Sequence, residues 1–191
     1  MIPDKRSIEQ SFSRAAKTYD QSAQFQRQCA EEFAAWLAAR SSGTPARILE
    51  AGCGTGQLTI RLHNLYPTAD FLATDFSSGM IRLCSERFAG TPIRFRIHDF
   101  DLPFEISDRD LAVSSLSLQW SRNLRTAFEH FHSALRSGGE LFAAIPLEES
   151  LSQIRGFFQE ENTIFRGPRL PSLPEIEQAL NGLFCNLSME T

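Results

Sequence analysis

The stretch that decides the fold is Arg47–Thr59, RILEAGCGTGQLT. Ile48, Leu49 and Ala51 make a short buried-strand signal with Glu50 inside it. Gly52, Gly54 and Gly56 then fall at every second position, ahead of a helix-like segment, Gln57–Leu65. A strand running through closely spaced glycines into a helix presents bare backbone N–H groups and a helix N-terminus to a ligand. Glycine admits φ > 0 and has no Cβ to hold the ligand away. A nucleotide site is the first expectation. The dinucleotide fingerprint G-x-G-x-x-G places its third glycine one residue later, and no G-x-x-x-x-G-K-[ST] occurs. Glu50, just ahead of the glycines, suits a cationic or hydroxyl-bearing ligand better than a pyrophosphate.

Outward from this stretch the chain alternates. Ala69–Thr74 reads as a second strand closed by Asp75, and Ser77 as the N-cap of a helix carrying Met80, Ile81, Leu83, Cys84 and Phe88. Ile93–Ile97 is a third strand, followed by a loop, His98–Ser107, and by a fourth strand, Leu111–Leu116. A helix over Asn123–Arg136 is expected to stop at Ser137-Gly138-Gly139, ahead of a fifth strand, Leu141–Ile145. Alternating β and α elements with continuous apolar strands predict an α/β fold, a mostly parallel sheet with helices on both faces. Ligands of such sheets lie beyond the strand C-termini. Gly52–Gly56, Asp75, Asp99 and Ser115–Leu116 therefore share one rim.

Met1–Ser42 is a helical preface. Phe12, Ala15, Ala16 and Tyr19 lie at helical spacing, as do Phe25, Cys29, Phe33, Trp36 and Leu37. Residues 22–40 read as a packing helix. The earlier segment, with Phe12, Arg14, Lys17 and Tyr19, is either a lid over the site or ordinary amphipathic surface.

The 191 residues carry 19 basic and 23 acidic side chains, a net −4, which leaves no electrostatic footprint for nucleic acid. The four cysteines are scattered without C-x-x-C, the usage of a reduced, cytoplasmic protein. No cysteine, histidine or carboxylate set has metal-ligand spacing. No apolar run approaches the ~18 residues of a membrane span. No Ser/His/Asp or paired-acid signature is present.

E-x-G-x-G-x-G over Glu50–Gly56 resembles the first motif of class I S-adenosylmethionine-dependent methyltransferases, with Gly52, Cys53, Gly54 and Gly56 in the cofactor turn. The resemblance implies a Rossmann-like fold with S-adenosyl-L-methionine as cofactor. Asp75, at the second strand end, is placed to accept the ribose hydroxyls, with Phe76 beside it; as a plain alternative it is a helix-start carboxylate for Ser77. Asp99 offers an acceptor to the adenine amine, Phe100 and Met80 offer apolar faces to its ring, and Ser115 closes the rim.

The segments FSRAAKTYDQSAQFQRQCA (Phe12–Ala30), ATDFSSGMI, HDFDLPF, SSLSLQWSRNL and LPSLPEIEQALNG (Leu170–Gly182) together are similar to the malonyl-acyl-carrier-protein O-methyltransferase family of biotin biosynthesis. That likeness implies methyl transfer to the free carboxylate of a malonyl thioester on acyl carrier protein or coenzyme A, achieved by positioning and without a catalytic acid or base. It implies substrate contacts at Tyr19, Trp120 and Arg169, with Arg155 and Arg166 as competing arginines. An acidic carrier would dock on local basic residues, for which Lys5, Arg6, Arg14, Lys17 and Arg27 are candidates.

A single methyltransferase domain is expected: preface 1–43, cofactor-binding core 44–146, and substrate-side helices with an incomplete sheet edge over 147–191. Class I sheets finish with two further strands, whereas here only Leu183–Ser188 could add one, so the C-terminal strands read as truncated. The family often shows asparagine where this chain has Ser115. A monomer is expected. Two other readings stay open: a methyltransferase for another small carboxylic acid or a quinone precursor, and a truncated, inactive cofactor-binding protein.

Overall fold

A computed structural model describes residues 4–16, 24–151 and 167–190. Two helices, α1 (Lys5–Ala15) and α2 (Gln24–Arg40), precede the sheet. The core then runs β1 (Arg47–Ala51), α3 (Gln57–Leu65), β2 (Asp70–Asp75), α4 (Ser78–Arg87), β3 (Arg94–Ile97), β4 (Arg109–Ser115), a 3-10 turn at Leu118–Trp120, α5 (Leu124–Ala134), β5 (Leu135–Ala144), a second 3-10 turn at Glu148–Leu151 and α6 (Leu173–Leu180). The five strands pair in the order β3-β2-β1-β4-β5, and every pairing is parallel. The order reverses beside β1, which opens a crevice between the C-terminal ends of β1 and β4.

Alternation of side chains along each strand builds two cores. Ile48, Phe71, Leu111 and Val113 face α2, α3 and α4, while Leu49, Leu72 and Ala112 face α5 and α6. The α2 residues Ala30, Phe33, Ala34 and Leu37 form the i, i+3, i+4, i+7 stripe that buries it. Ser77 caps α4 by accepting from Met80 N at 3.3 Å, as its position predicts. At the opposite end of the sheet Asp110 accepts from Ala46 N and Arg47 N and pairs with Arg136.

Two expectations are corrected. Ser137-Gly138-Gly139 does not stop α5: the helix ends at Ala134, and these residues lie inside β5. The register jumps from Arg109↔Leu135 to Leu111↔Glu140, so five residues of β5 span two of β4. Gly138, at φ 74°, supplies the turn of this bulge. The second correction concerns Leu183–Ser188, which forms no strand. Phe184 packs edge-on to His132 of α5, and Glu190 accepts from Trp36 Nε1 at 2.9 Å and pairs with Arg40 of α2. Anchored to helices at both ends, this segment runs as an irregular strap, and among the described residues β5 pairs with β4 alone.

Gly56 shows why the glycine spacing matters to the fold. It sits at φ 83°, and a Cβ there would lie 2.5 Å from the Phe88 ring. Gly56→Ala is expected to lower unfolding free energy by roughly 2–4 kcal/mol, combining backbone strain with overpacking. Denaturant titration measures this, and an unchanged midpoint would show that the Phe88 ring has room to yield.

Candidate cofactor and acceptor site

The turn after β1 is shaped by β2. Gly52 N and Cys53 N both donate to Thr74 O, at 2.8 and 2.9 Å, and Thr74 Oγ1 donates to Glu50 O at 3.1 Å. Asp75 completes the tie, accepting from Gly54 N at 2.9 Å and from Ser77 N at 2.8 Å. It thus carries the helix-start role, and both oxygens are engaged while the residue still lines the cavity. The glycines differ in purpose. A Cβ on Gly52 would lie 2.0 Å from Ser117 Oγ, Gly56 is packed under Phe88, and Gly54 faces open space. Only Gly52 and Gly54 border the cavity.

Two acids share this buried place. Glu50 is 1% exposed and accepts from Thr59 Oγ1 at 2.7 Å. Burial pushes its carboxyl up to about 8; the Thr59 bond opposes this and the Asp75 charge adds to it. Burial also raises Asp75, to about 6, against the Ser77 and Gly54 N–H bonds. Cys53, also in the turn, is raised by its bond with Cys84 and by burial. Of the two acids, Glu50 is shifted further from its ordinary value.

Glu50, Gly52, Cys53, Gly54, Asp75, Phe76, Met80, Phe100, Ser115 and Trp120 all border one cavity. Gly56 does not, and Asp99 stands outside the lining: Lys5 Nζ takes its carboxylate at 2.5 Å and that of Asp101 at 2.5 Å. Lys5 is therefore turned inward, which removes it from the basic docking candidates. Arg6, Arg14 and Arg27 are exposed. Tyr19, Lys17, Arg155 and Arg166 lie outside the described residues.

The preface makes the cover. Phe12 stands edge-on to Phe76 and to Trp120, with ring centroids 6.0 and 5.5 Å apart. Ser13 Oγ accepts from Gly79 N at 3.0 Å, and Glu9 accepts from Ser78 N and Oγ, so α1 is fastened to the start of α4. With Phe12 in place the cavity measures about 100 Å³, below the ~300 Å³ at which ligand pockets usually begin. A ligand of nucleoside size must displace this cover.

Sequence reasoning placed Leu116 on the rim but not its strained backbone, at φ 50°, and it missed Gln26 and Ala30, which border the cavity from the packing helix. Neither carries a local signal. Leu116 continues the β4–β5 ladder through a bond to Ala144 O, and Gln119 Nε2 donates to its carbonyl at 2.7 Å. Arg169 pairs with Glu175 at 2.6 Å on an exposed surface and borders a second cleft, which Trp120 also lines. Among the described residues no group of three His, Cys, Asp or Glu side chains could hold a metal.

A family described as "Methyltransferase domain" matches residues 48–139. Malonyl-(acyl-carrier protein) O-methyltransferase of Hahella chejuensis is 34% identical over 152 residues, 79% of this chain and 53% of that protein. The protein of the same name from Erwinia pyrifoliae is 31% identical over 188 residues, 97% of this chain and 68% of that protein. The chain belongs to the malonyl-acyl-carrier-protein O-methyltransferase family. It spans 53%, 49% and 61% of three of these curated relatives. Among solved structures, the plantazolicin methyltransferase BpumL with a pentazolic desmethylPZN analogue and SAH superposes at TM-score 0.69 and 21% identity, covering 92% of this chain and 73% of that one. The PH0226 protein of Pyrococcus horikoshii superposes at TM-score 0.67 and 19% identity, covering 82% and 80%. These likenesses show the class I methyltransferase fold. The family match, over residues 48–139, contains both acids and both cavity-bordering glycines of the turn.

Glu50 and Asp75 give the ligand-free site a pH signature. An acid raised in the folded state holds its proton more tightly there, so its stabilising effect is full below its unfolded value and is lost as pH rises through the folded one. For Glu50 that window runs from about 4.5 to about 8, and Asp75 acts with the same sign. The melting temperature of the ligand-free chain is expected to fall between pH 5 and pH 8.5. Glu50→Gln should flatten the decline, and a melting temperature that rose across that range would sink the assignment.

Proposed function

We propose that this chain binds S-adenosylmethionine in the Glu50–Asp75 cavity and methylates the free carboxylate of a malonyl thioester carried on a phosphopantetheine arm. The observation that carries the reading is the pairing of a proton-holding Glu50 with an Asp75 at the strand end beside the bare edge of Gly54. A cationic amino-acid moiety answers the first, a ribose the second, and an apolar slot between Phe100 and Met80 suits an adenine. The relatives' shared name supplies the acceptor.

When bound, the cofactor supplies an electrophilic methyl group on a sulfonium, which a carboxylate oxygen can take directly. A malonyl carboxylate is ionised at pH 7, so the protein needs no general base. The work left to the chain is orientation and exclusion of water. Phe12, Phe76 and Trp120 make an aromatic wall that keeps the meeting point dry. Lys5, bridging Asp99 and Asp101, fastens that wall to the loop after β3. An arginine suits the carboxylate bidentately, and Arg169 is our candidate, released from Glu175 as the acceptor arrives. Esterification then removes a charge that would be costly to bury in the apolar channels of chain-elongating enzymes.

Calorimetric titration with S-adenosylhomocysteine tests the cofactor half. Binding near pH 7 should release protons, because a cation drives Glu50 to ionise, and the heat should therefore vary with the buffer's ionisation enthalpy. Asp75→Ala should weaken binding by roughly 10- to 150-fold, the equivalent of one charge-assisted bond of about 1.5–3 kcal/mol. Methyl transfer to malonyl-acyl carrier protein, with free malonate as a poor substrate, tests the acceptor half. Arg169→Ala should impair transfer at unchanged S-adenosylhomocysteine affinity; lost affinity would assign Arg169 to another role.

A further inference from the structure

Beside the cofactor cavity lies a larger cleft of about 560 Å³, between the Leu118–Arg125 stretch and the Pro168–Ala179 segment. Trp120 lines both, so the cleft opens from the point where transfer would occur. Its charge is one-sided: Arg122, Arg125 and Arg169 line it against Glu175 alone. Two of these guanidinium groups are occupied. Arg125 pairs with Glu129 at 2.8 Å and donates to Asn181 O, and Arg169 pairs with Glu175. Arg122 differs. Its backbone N–H donates to Asp101 Oδ2 at 3.0 Å, and among the described residues its guanidinium makes no ion pair or hydrogen bond.

A second group in the cleft also lacks a partner. Gln119 Nε2 donates to Leu116 O, which fixes the orientation of the amide, since an amide oxygen turned there would face a carbonyl. Gln119 Oε1 is then left buried with no donor. A buried acceptor without a donor is an exception that calls for a ligand or water. The cleft thus carries a cation for an anionic group and, three residues earlier in the chain, a buried acceptor in its wall that an entering N–H would reach with a shift of the side chain, both flanking Trp120.

We propose that this cleft binds the phosphopantetheine arm of the acceptor, with Arg122 on its phosphate and Gln119 Oε1 on an amide N–H. This deepens the proposed function and rests on it. A phosphorylated, amide-bearing tether matches both unpartnered groups at once, and its thioester end would lie toward Trp120. Arg122 is a binding and positioning residue here, with no part in the chemistry.

The test titrates the full chain, saturated with S-adenosylhomocysteine, with 4′-phosphopantetheine and with pantetheine, which lacks the phosphate. The phosphorylated tether should bind at least tenfold more tightly. Arg122→Gln should abolish that preference, and Arg122→Lys should keep most of it; Arg122 lies outside the cofactor cavity, so S-adenosylhomocysteine affinity should stay the same in both. Equal binding of the two tethers, or a phosphate preference that survives Arg122→Gln, overturns the inference. Methylation of malonyl-pantetheine and malonyl-4′-phosphopantetheine with the same KM also overturns it while leaving the methyltransferase reading intact. Failure of the folded chain to bind S-adenosylhomocysteine would instead strike the cofactor reading, and titration of the unsaturated chain with the two tethers would still decide the role of Arg122.

Discussion

Asp75 sits where two turns cross, and its carboxylate accepts one backbone N–H from each: Gly54 of the glycine turn and Ser77 at the head of α4. Thr74, its neighbour, holds the other side of the same turn by accepting from Gly52 N and Cys53 N. The parallel register Ala51↔Thr74 brings these groups together, so the turn's shape is dictated by the end of β2 as much as by the glycines. Remove the tie and the turn loses its template. A carboxylate this buried is costly to ionise, and the backbone bonds only partly offset that cost. Glu50, nearby and also buried, is pushed up further by the Asp75 charge. The site is built in a state that a cation relieves, which is a form of preorganisation.

The cover over this site depends on the same tie. Ser77 caps α4 and shares a 2.9 Å contact with Ser13 Oγ, while Glu9 reaches the next N–H. Acidic and hydroxyl groups at a helix start are favourable because its first N–H groups are unpaired. The α1 helix therefore docks on an end of α4 that Asp75 has already fixed. Gly79 permits the approach, for a Cβ there would lie 2.6 Å from Ser13 Cα. Asp101 joins the third side, holding Lys5 of α1 as well as Ser121 and Arg122 after Trp120. Burial raises the Asp101 carboxyl, but these three partners outweigh it and hold it below the usual carboxylate range. The cover, the glycine turn and the loop that carries Trp120 are thus linked by short polar bonds.

What could be read in the sequence was what is decided locally. The glycine turn, the Gln57–Leu65 helix and the Ser77 cap each depend on residues within a few positions of one another. The parallel sheet followed from the alternation of apolar strands and helices. The misread elements were decided at a distance. Gly138-Gly139 has the chemistry of a helix stop, yet Leu135 had already left the helix to pair with Arg109, and the glycines were used for a bulge. Lys5 looks like surface charge until the fold brings Asp99, 94 residues away, to its ammonium group. Leu116 adopts its left-handed backbone while bonded to Ala144 on the neighbouring strand, and nothing in its own neighbourhood of sequence announces it. In the site the cofactor-side residues were legible as a motif. The proposed acceptor-side residues Gln119 and Arg122 were not, because an unpartnered group is visible only once its surroundings are in place.

The charge balance ties these levels together. A chain with net charge −4 is a poor attractor for an anionic acceptor if its acids face that acceptor. The acids in and beside the cavity are each offset locally, Asp75 by the N–H groups of Gly54 and Ser77. Burial pushes the Glu50 carboxyl up to about 8, so it carries little charge at pH 7. Asp99 and Asp101 are met by Lys5. In the proposed reading, the guanidinium of Arg122 is then the unpaired charge that would meet the acceptor. Local neutralisation of the acids, more than the overall sum, sets the field an anionic ligand would meet in this cleft.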